Sequence, residues 1–227
     1  MQSVSLSVVD HDSFLMCIIF SFVCAMSANN MAFPTRFRTY SVRVNASYNC
    51  AIWEAARATS AAPTFFKPIE IGMPFLEERF IDGGLRCNNP VAEVIAEAHT
   101  LWPDRKVACL ISLGTGQAST ISIPSSTFFT KVLPLNVVAA LKSIATDCEK
   151  AATNCDRRFP GPDSVYSRFN VEQGMQQISL DEWNKMADTV AHTKQYLQQP
   201  LVVHKIDIAV KQLRLKQGAI TTASMCM

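Results

Sequence analysis

The fold is decided by one segment, Arg79-Phe80-Ile81-Asp82-Gly83-Gly84-Leu85-Arg86-Cys87-Asn88-Asn89-Pro90. An apolar stretch ends in Asp82, two glycines follow, and Asn89 and Pro90 are favoured residues for the cap and first position of a helix. The pattern predicts a buried strand, a turn on the glycines and a helix. α/β enzymes keep catalytic groups at such strand ends. An ordinary Asp-Gly turn is the alternative, and these residues taken alone favour it.

Further segments change that balance. They are Asn29-Asn30 followed by Arg36-Phe37-Arg38-Thr39-Tyr40, then Trp53 to Phe66 with its Ala-Thr-Ser-Ala-Ala-Pro run, Ile111-Ser112-Leu113-Gly114-Thr115-Gly116, and Tyr166-Ser167-Arg168-Phe169-Asn170-Val171. In this order and spacing, together with the segment around Asp82, they resemble the patatin-like phospholipases over roughly residues 17 to 215. The last segment is most similar to the fungal branch of that family.

The resemblance implies hydrolysis of phospholipid or acylglycerol esters by a serine–aspartate dyad. Within the motif Asp82, Gly83 and Gly84, it assigns Asp82 the role of general base. The family also uses a Gly-x-Ser-x-Gly nucleophile segment and a glycine-rich oxyanion loop, and neither occurs in these 227 residues. We therefore expect a domain truncated at its N-terminus and inactive on its own. The alternative is a non-catalytic lipid-binding or regulatory remnant of a larger fungal multidomain protein.

Other candidate groups are weak. Ser60 lies in an alanine-rich helix, where its hydroxyl is expected to bond back to the preceding turn, and Ser112 lies outside any nucleophile motif. The four histidines are not placed for a triad with a serine. Gly114-Thr115-Gly116 is expected to be a tight strand exit, since no Gly-Lys-Ser/Thr follows it.

Composition narrows the class further. The net charge is +2 and the basic residues are scattered, which gives no sign of a nucleic-acid partner. The eight cysteines show no Cys-x-x-Cys pair and no zinc spacing, so we expect free thiols, no metal and no cofactor. Free thiols indicate a reducing, cytoplasmic setting, in which the protein can also contact lipid surfaces. The apolar stretch Phe14 to Met26 is too short to span a bilayer, which needs about twenty residues.

Alternating strand and helix patterns predict an α/β layered fold with a mainly parallel sheet flanked by helices. We expect residues 1–16 to be an unmatched extension, residues 17–217 a partial patatin-like domain, and residues 218–227 a disordered tail. The predicted strands are 17–26, 37–44, 66–71, 78–81 and a central strand at 106–113. The predicted helices are 50–60, 90–101, 136–155, 181–198 and 201–216. A domain without its central strands should be poorly stable alone.

Overall fold

A computed structural model describes residues 3–8, 18–43, 48–63, 65–116, 148–161, 164–176, 178 and 182–226. The chain divides into two compact units. The first comprises residues 1–101 with 133–148, and the second comprises residues 102–132 with 149–227.

The first unit is a sheet with helices. Its elements are β1 (Ser3–Val8), β2 (Ile18–Ser27), β3 (Pro34–Arg38), α1 (Ile52–Thr59), β4 (Ile69–Ile71), β5 (Glu78–Asp82), α2 (Gly84–Cys87) and α3 (Val91–Leu101). The long strand β2 pairs antiparallel with β1, β3 and β5, and β4 pairs antiparallel with β5. Ala25 of β2 lies opposite Asp82, so the candidate base stands beside the central strand.

The core of this unit brings α1 onto the sheet. Its buried residues include Ala25, Phe37, Ala58 and Phe80, and the rings of Phe37 and Phe80 meet edge to face at 5.1 Å. The alanines of α1 are small, which lets the helix backbone come close to β2 and β5. Packing of this kind holds the end of β5 in a fixed position.

The second unit consists of short strands and helices. Its elements are β6 (Lys106–Val107), β7 (Leu110–Leu113), helical residues 149–158 (α4), β8 (Tyr166–Phe169), a 3-10 turn (Trp183–Lys185), α5 (Met186–Leu197), α6 (Pro200–Leu215), β9 (Ile220–Thr221) and α7 (Thr222–Cys226). β7 and β8 are parallel, whereas β6 and β9 are antiparallel. Val171, Tyr196 and Val202 form a buried cluster that joins the segment after β8 to α5 and α6.

The α/β class agrees with the sheets and helices, but the mainly parallel sheet is not confirmed. Of the six strand pairings among the described residues, only β7 with β8 is parallel. Parallel neighbours need a crossover of a dozen or more residues. The connections from β2 to β3 and from β4 to β5 are only residues 28–33 and 72–77, so these strands turn back on one another.

Several predicted elements are found and others differ. The strand at 17–26 and the helices at 50–60, 90–101, 181–198 and 201–216 correspond to β2, α1, α3, α5 and α6. The predicted central strand at 106–113 is instead two short strands, because the chain bends at residues 108–109 and each half pairs with a different partner. Much of the predicted 136–155 helix and the 117–135 loop lie outside the described residues.

The C-terminal segment also differs from the expected disordered tail. β9 pairs with β6, and α7 follows it. The hydroxyl of Thr222 donates to the carbonyl oxygen of Pro103 at 2.9 Å, and the Thr222 N–H donates to the carbonyl oxygen of Arg105. These long-range bonds order a segment whose local sequence carries no periodic pattern.

Candidate active site around Asp82

Asp82 is the last residue of β5, as the sequence predicts. Its backbone N–H donates to the carbonyl oxygen of Ala61 at 3.1 Å, which ties the strand end to the segment after α1. Its side chain is half-buried, and Oδ1 accepts a 2.5 Å hydrogen bond from the N–H of Gly84. The carboxylate is therefore held at the edge of the core in a fixed orientation.

The two glycines do not form the predicted turn. Gly83 has helical dihedrals, with φ at −66°, and α2 begins at once with Gly84. Glycine is needed here for close approach: a Cβ atom on Gly83 would collide with the backbone of Cys24, and one on Gly84 would lie 2.8 Å from Asp82 Oδ1. The motif thus lets a helix start directly beneath the carboxylate, against the backbone of β2.

The electrostatic setting favours a base. Burial raises the pKa of the Asp82 carboxyl above its ordinary value, and the hydrogen bond from Gly84 opposes that rise only in part. A carboxylate with a raised pKa is a stronger base than an exposed one once it is ionised. Partial burial also means that the ionised form has lost part of its hydration, which the one hydrogen bond from Gly84 does not fully replace, and this loss is a cost to folding.

The helix that follows the motif is capped as the sequence predicts. Asn89 is buried, and its Oδ1 accepts from the N–H of Val91 at 3.4 Å as α3 begins. Its amide nitrogen donates to the carbonyl oxygen of Cys148 at 3.4 Å. The side chain therefore both caps α3 and fixes the helix start within its unit.

A buried ion-pair network joins β3 to α3. Glu97 is only 2% exposed, and its two oxygens accept from Arg36 at 2.7 Å, from Arg38 at 2.6 and 2.7 Å, and from Tyr40 at 2.6 Å. Glu93, one turn earlier, accepts from Arg36 Nε at 2.6 Å. Hereafter these five residues are called the Glu97 network.

The network lowers the pKa of the Glu97 carboxyl. Burial disfavours its ionised form, but the hydrogen bonds from Arg38 and Tyr40 and the nearby guanidinium charges outweigh burial and hold the pKa at about 2. Burial and the same carboxylate raise the pKa of the Tyr40 hydroxyl. Glu97 is therefore ionised at neutral pH and binds two arginines, which makes it a structural group rather than an acid or base.

The sequence places Arg36 to Tyr40 in a family motif but does not identify Glu97 as their partner. The signal was present in the spacing. Arg36 and Arg38 lie two residues apart and share one face of a strand, while Glu93 and Glu97 lie four apart and share one face of a helix. Only the tertiary fold brings the two faces together.

A cavity of about 440 Å³ opens beside this network. Its lining residues are Phe33, Pro34, Thr35, Arg36, Arg38, Tyr48, Glu78 and Glu93. Asp82 is not among them. Half of these residues are charged, and each charged side chain has a protein hydrogen-bond partner, as Glu78 has in the Tyr48 hydroxyl. The cavity therefore lacks the predominantly apolar lining that an acyl chain requires.

The weaker candidates have structural partners. The Ser60 hydroxyl donates to the carbonyl oxygen of Ala56 at 2.8 Å, which confirms the predicted bond to the preceding turn. Ser112 is buried in β7 and accepts from Arg168 Nη1 at 2.8 Å. The N–H of Gly116 donates to Asn170 Oδ1 at 2.8 Å. The 111–116 and 166–171 motifs are thus two sides of one parallel strand pair within the second unit.

Within the part of the chain that the structure describes, no three His, Cys, Asp or Glu side chains are grouped so that they could hold a metal ion. Across those same residues, no helix combines the length and the apolar character needed to cross a membrane.

Comparison with known proteins gives the class of this sequence. Residues 8–95, which include the whole of β2 through Asp82 and the start of α3, match the family described as patatin-like phospholipase. The region around the candidate base therefore matches the patatin-like phospholipase family, which is the family that the sequence motifs resemble.

Individual relatives are also named as phospholipases. The chain is 36% identical over 131 residues to calcium-independent phospholipase A2-gamma of Mus musculus, covering 58% of this chain and 16% of that protein. It is 32% identical over 132 residues to phospholipase A I of Arabidopsis thaliana, covering 58% of this chain and 9% of that protein. Intracellular phospholipase A2 of Caenorhabditis elegans is 31% identical over 109 residues. The chain thus spans only a small part of the length of these relatives.

Proposed function

We propose that this chain carries the general-base half of a lipid acyl hydrolase, with Asp82 as the base and phospholipid or acylglycerol esters as the substrate class. One observation carries the proposal: a half-buried carboxylate at the end of β5, fixed through Oδ1 by Gly84, within sequence that is patatin-like phospholipase. Its raised pKa suits it to accept a proton from a hydroxyl.

The reaction follows from these roles. As a serine Oγ attacks the ester carbonyl carbon, Asp82 accepts the hydroxyl proton and the carbonyl oxygen gains the negative charge. Collapse of the tetrahedral intermediate breaks the ester bond, and Asp82 returns the proton to the departing alcohol. Water then attacks the acyl-serine, with Asp82 again accepting and returning the proton, and the fatty acid is released.

The serine is not supplied by a Gly-x-Ser-x-Gly segment of these 227 residues. Removal of the nucleophile from a serine hydrolase lowers turnover by roughly a million-fold. We therefore propose that the chain by itself is inactive toward esters. The buried free thiols of Cys24 and Cys87 are consistent with the cytoplasmic, reducing setting that we also propose, at the surface of membranes where the substrate lies.

A second candidate is a non-catalytic lipid-binding or regulatory role. These 227 residues could present a lipid-facing surface without supporting turnover, since they contain no Gly-x-Ser-x-Gly segment. Two results together would support this role over the first: the chain binds phospholipid vesicles specifically, and it shows no turnover even when a nucleophilic serine is supplied.

A chimera tests the first proposal. The region of the mouse phospholipase A2-gamma that matches this chain is replaced by the corresponding residues of this chain, so that the relative supplies its own preceding sequence. We expect the chimera to hydrolyse a monomeric short-chain nitrophenyl ester. Asp82→Asn should lower the rate of hydrolysis by a factor of about 10² to 10⁴. The matched control is Glu70→Gln, an exposed carboxylate on the neighbouring strand β4, which should keep full activity. A folded chimera that is equally active with Asp82→Asn would refute the assignment.

A further inference from the structure

The hairpin between β4 and β5 ends in an unusual turn. The N–H of Leu76 donates to the carbonyl oxygen of Met73 at 2.9 Å, which closes a four-residue turn with Pro74 and Phe75 in the middle. Phe75 has a φ of 69°. A proline followed by a residue with positive φ is the pattern of a type II turn, whose third position strongly prefers glycine.

Phe75 is a costly choice for that position. A bulky side chain at positive φ strains the backbone, and such strain persists only where the surrounding structure imposes it. The turn is imposed from one side by Gly72, with φ at 148°, where a Cβ atom would lie 2.8 Å from the carbonyl oxygen of Leu76. Packing of the Phe75 side chain does not offset this strain, because the residue is 99% exposed.

The first and last residues of the turn share that exposure. Met73 is 69% exposed and Leu76 is 71% exposed, so three large apolar side chains stand at one hairpin tip. Together they are called the hairpin tip. Scattered single apolar residues on a surface need no explanation, but three on a strained turn, with none packed, do.

We propose that the hairpin tip inserts into a neutral phospholipid surface and anchors the domain there. The choice of a lipid rests on the proposed function. The size of the tip supports it: three side chains are far too few for a stable protein interface, which takes about 20–30 residues a side, whereas insertion of a few apolar side chains suffices for reversible membrane binding.

The charge of the hairpin selects the kind of lipid. Between β4 and the start of β5 it carries three carboxylates, Glu70, Glu77 and Glu78, against one guanidinium, Arg79. An anionic surface would be repelled rather than attracted by this balance. The tip therefore suits zwitterionic headgroups such as phosphatidylcholine, and its binding is driven by apolar burial and is insensitive to salt.

Flotation of the full 227-residue chain with phosphatidylcholine vesicles tests the inference. The wild-type chain should float with the vesicles, and Phe75→Asn should bind at least about tenfold more weakly, since asparagine tolerates positive φ but does not enter lipid. Leu76→Ser should weaken binding in the same direction. The thermal midpoint of Phe75→Asn should not fall, because the substitution relieves strain and removes no packing.

The control is Phe33→Ala, which alters an equally bulky side chain that is 80% exposed elsewhere in the same unit and should bind as the wild type does. The inference is overturned if Phe75→Asn binds normally, if Phe33→Ala loses binding to the same extent, or if binding requires anionic lipid. It is also overturned if sedimentation without lipid shows a dimer that Phe75→Asn dissociates, since the hairpin tip would then bind a second copy of the chain. None of these outcomes touches the role of Asp82, because the chimera is assayed on a monomeric ester without a membrane.

Discussion

The carbonyl oxygen of Cys24 occupies the space into which a Cβ atom on Gly83 would project. This contact between the central strand and the start of α2 explains why the residue after Asp82 is a glycine although its backbone is helical. It also couples the position of the candidate base to the backbone of β2. The neighbouring Gly84 meets a side-chain oxygen of Asp82 instead, which can rotate away.

These two glycines are predicted to respond differently to the same substitution. Gly83→Ala forces the backbones of β2 and α2 apart and should lower the free energy of unfolding by about 1–3 kcal/mol. Gly84→Ala should leave stability nearly unchanged but rotate the Asp82 carboxylate and lower activity in the chimera. Urea denaturation of both variants measures the contrast; equal stabilities would show that the Cys24 contact does not constrain the motif.

Removal of the Glu97 carboxylate should be strongly destabilising. Glu97→Ala leaves Arg38, 4% exposed, without its principal acceptor, and breaking a buried ion pair from one side costs about 3–5 kcal/mol. Glu93→Ala serves as the matched control, because that carboxylate lies one turn away on the same helix, is 19% exposed and bonds only to Arg36 among the contacts described. The free energy of unfolding measured in urea should be much lower for Glu97→Ala than for Glu93→Ala. The reverse order would contradict the network as described.

The same network predicts acid sensitivity. The pKa of Glu97 is about 2 in the folded chain against an ordinary 4.5, so its ionised form stabilises the fold fully above about pH 5. That contribution, about 3 kcal/mol, is lost as the pH falls from the ordinary value through the folded one. Stability measured from pH 6 to pH 2 should fall less steeply in Glu97→Gln than in the wild type. Identical slopes would mean that Glu97 is not ionised in the network.

Asp82 should show the opposite linkage. Its pKa is raised in the folded state, so its stabilising contribution is present at low pH and is lost as the pH rises through the folded pKa. Asp82→Asn, which keeps an acceptor for Gly84, should therefore be more stable than the wild type at pH 7, with the difference vanishing below about pH 4. A less stable variant at pH 7 would indicate that the carboxylate serves folding and not chemistry.

Local signals in the sequence anticipated the local structure well. Asn89 and Pro90 mark the start of α3, and the alanines from Ala55 to Ala58 mark a helix that packs closely on the sheet. The position of Asp82 at a strand end is predicted correctly because the strand end and the glycines form one continuous motif. In each case the determining interactions lie within a few residues along the chain.

The parts that failed depend on distant partners. Residues 107–111 form an unbroken apolar run. Nothing local shows that Lys106 and Val107 pair with β9 while residues from Leu110 onward pair with β8. Strand direction was misjudged for the same reason, since periodicity reports burial and not the direction of a neighbour. The ion pairs of the Glu97 network could not be predicted, because they depend on how α3 lies against β3 in the tertiary structure.

The most direct test of the central claim measures how fast the nucleophile is activated. In the chimera, a fluorophosphonate probe should label the serine supplied by the relative, and Asp82→Asn should slow labelling by about 10² to 10⁴ while Glu70→Gln leaves the rate unchanged. Equal labelling rates for Asp82→Asn and the unmodified chimera, in folded protein, would show that Asp82 does not take the proton from the serine.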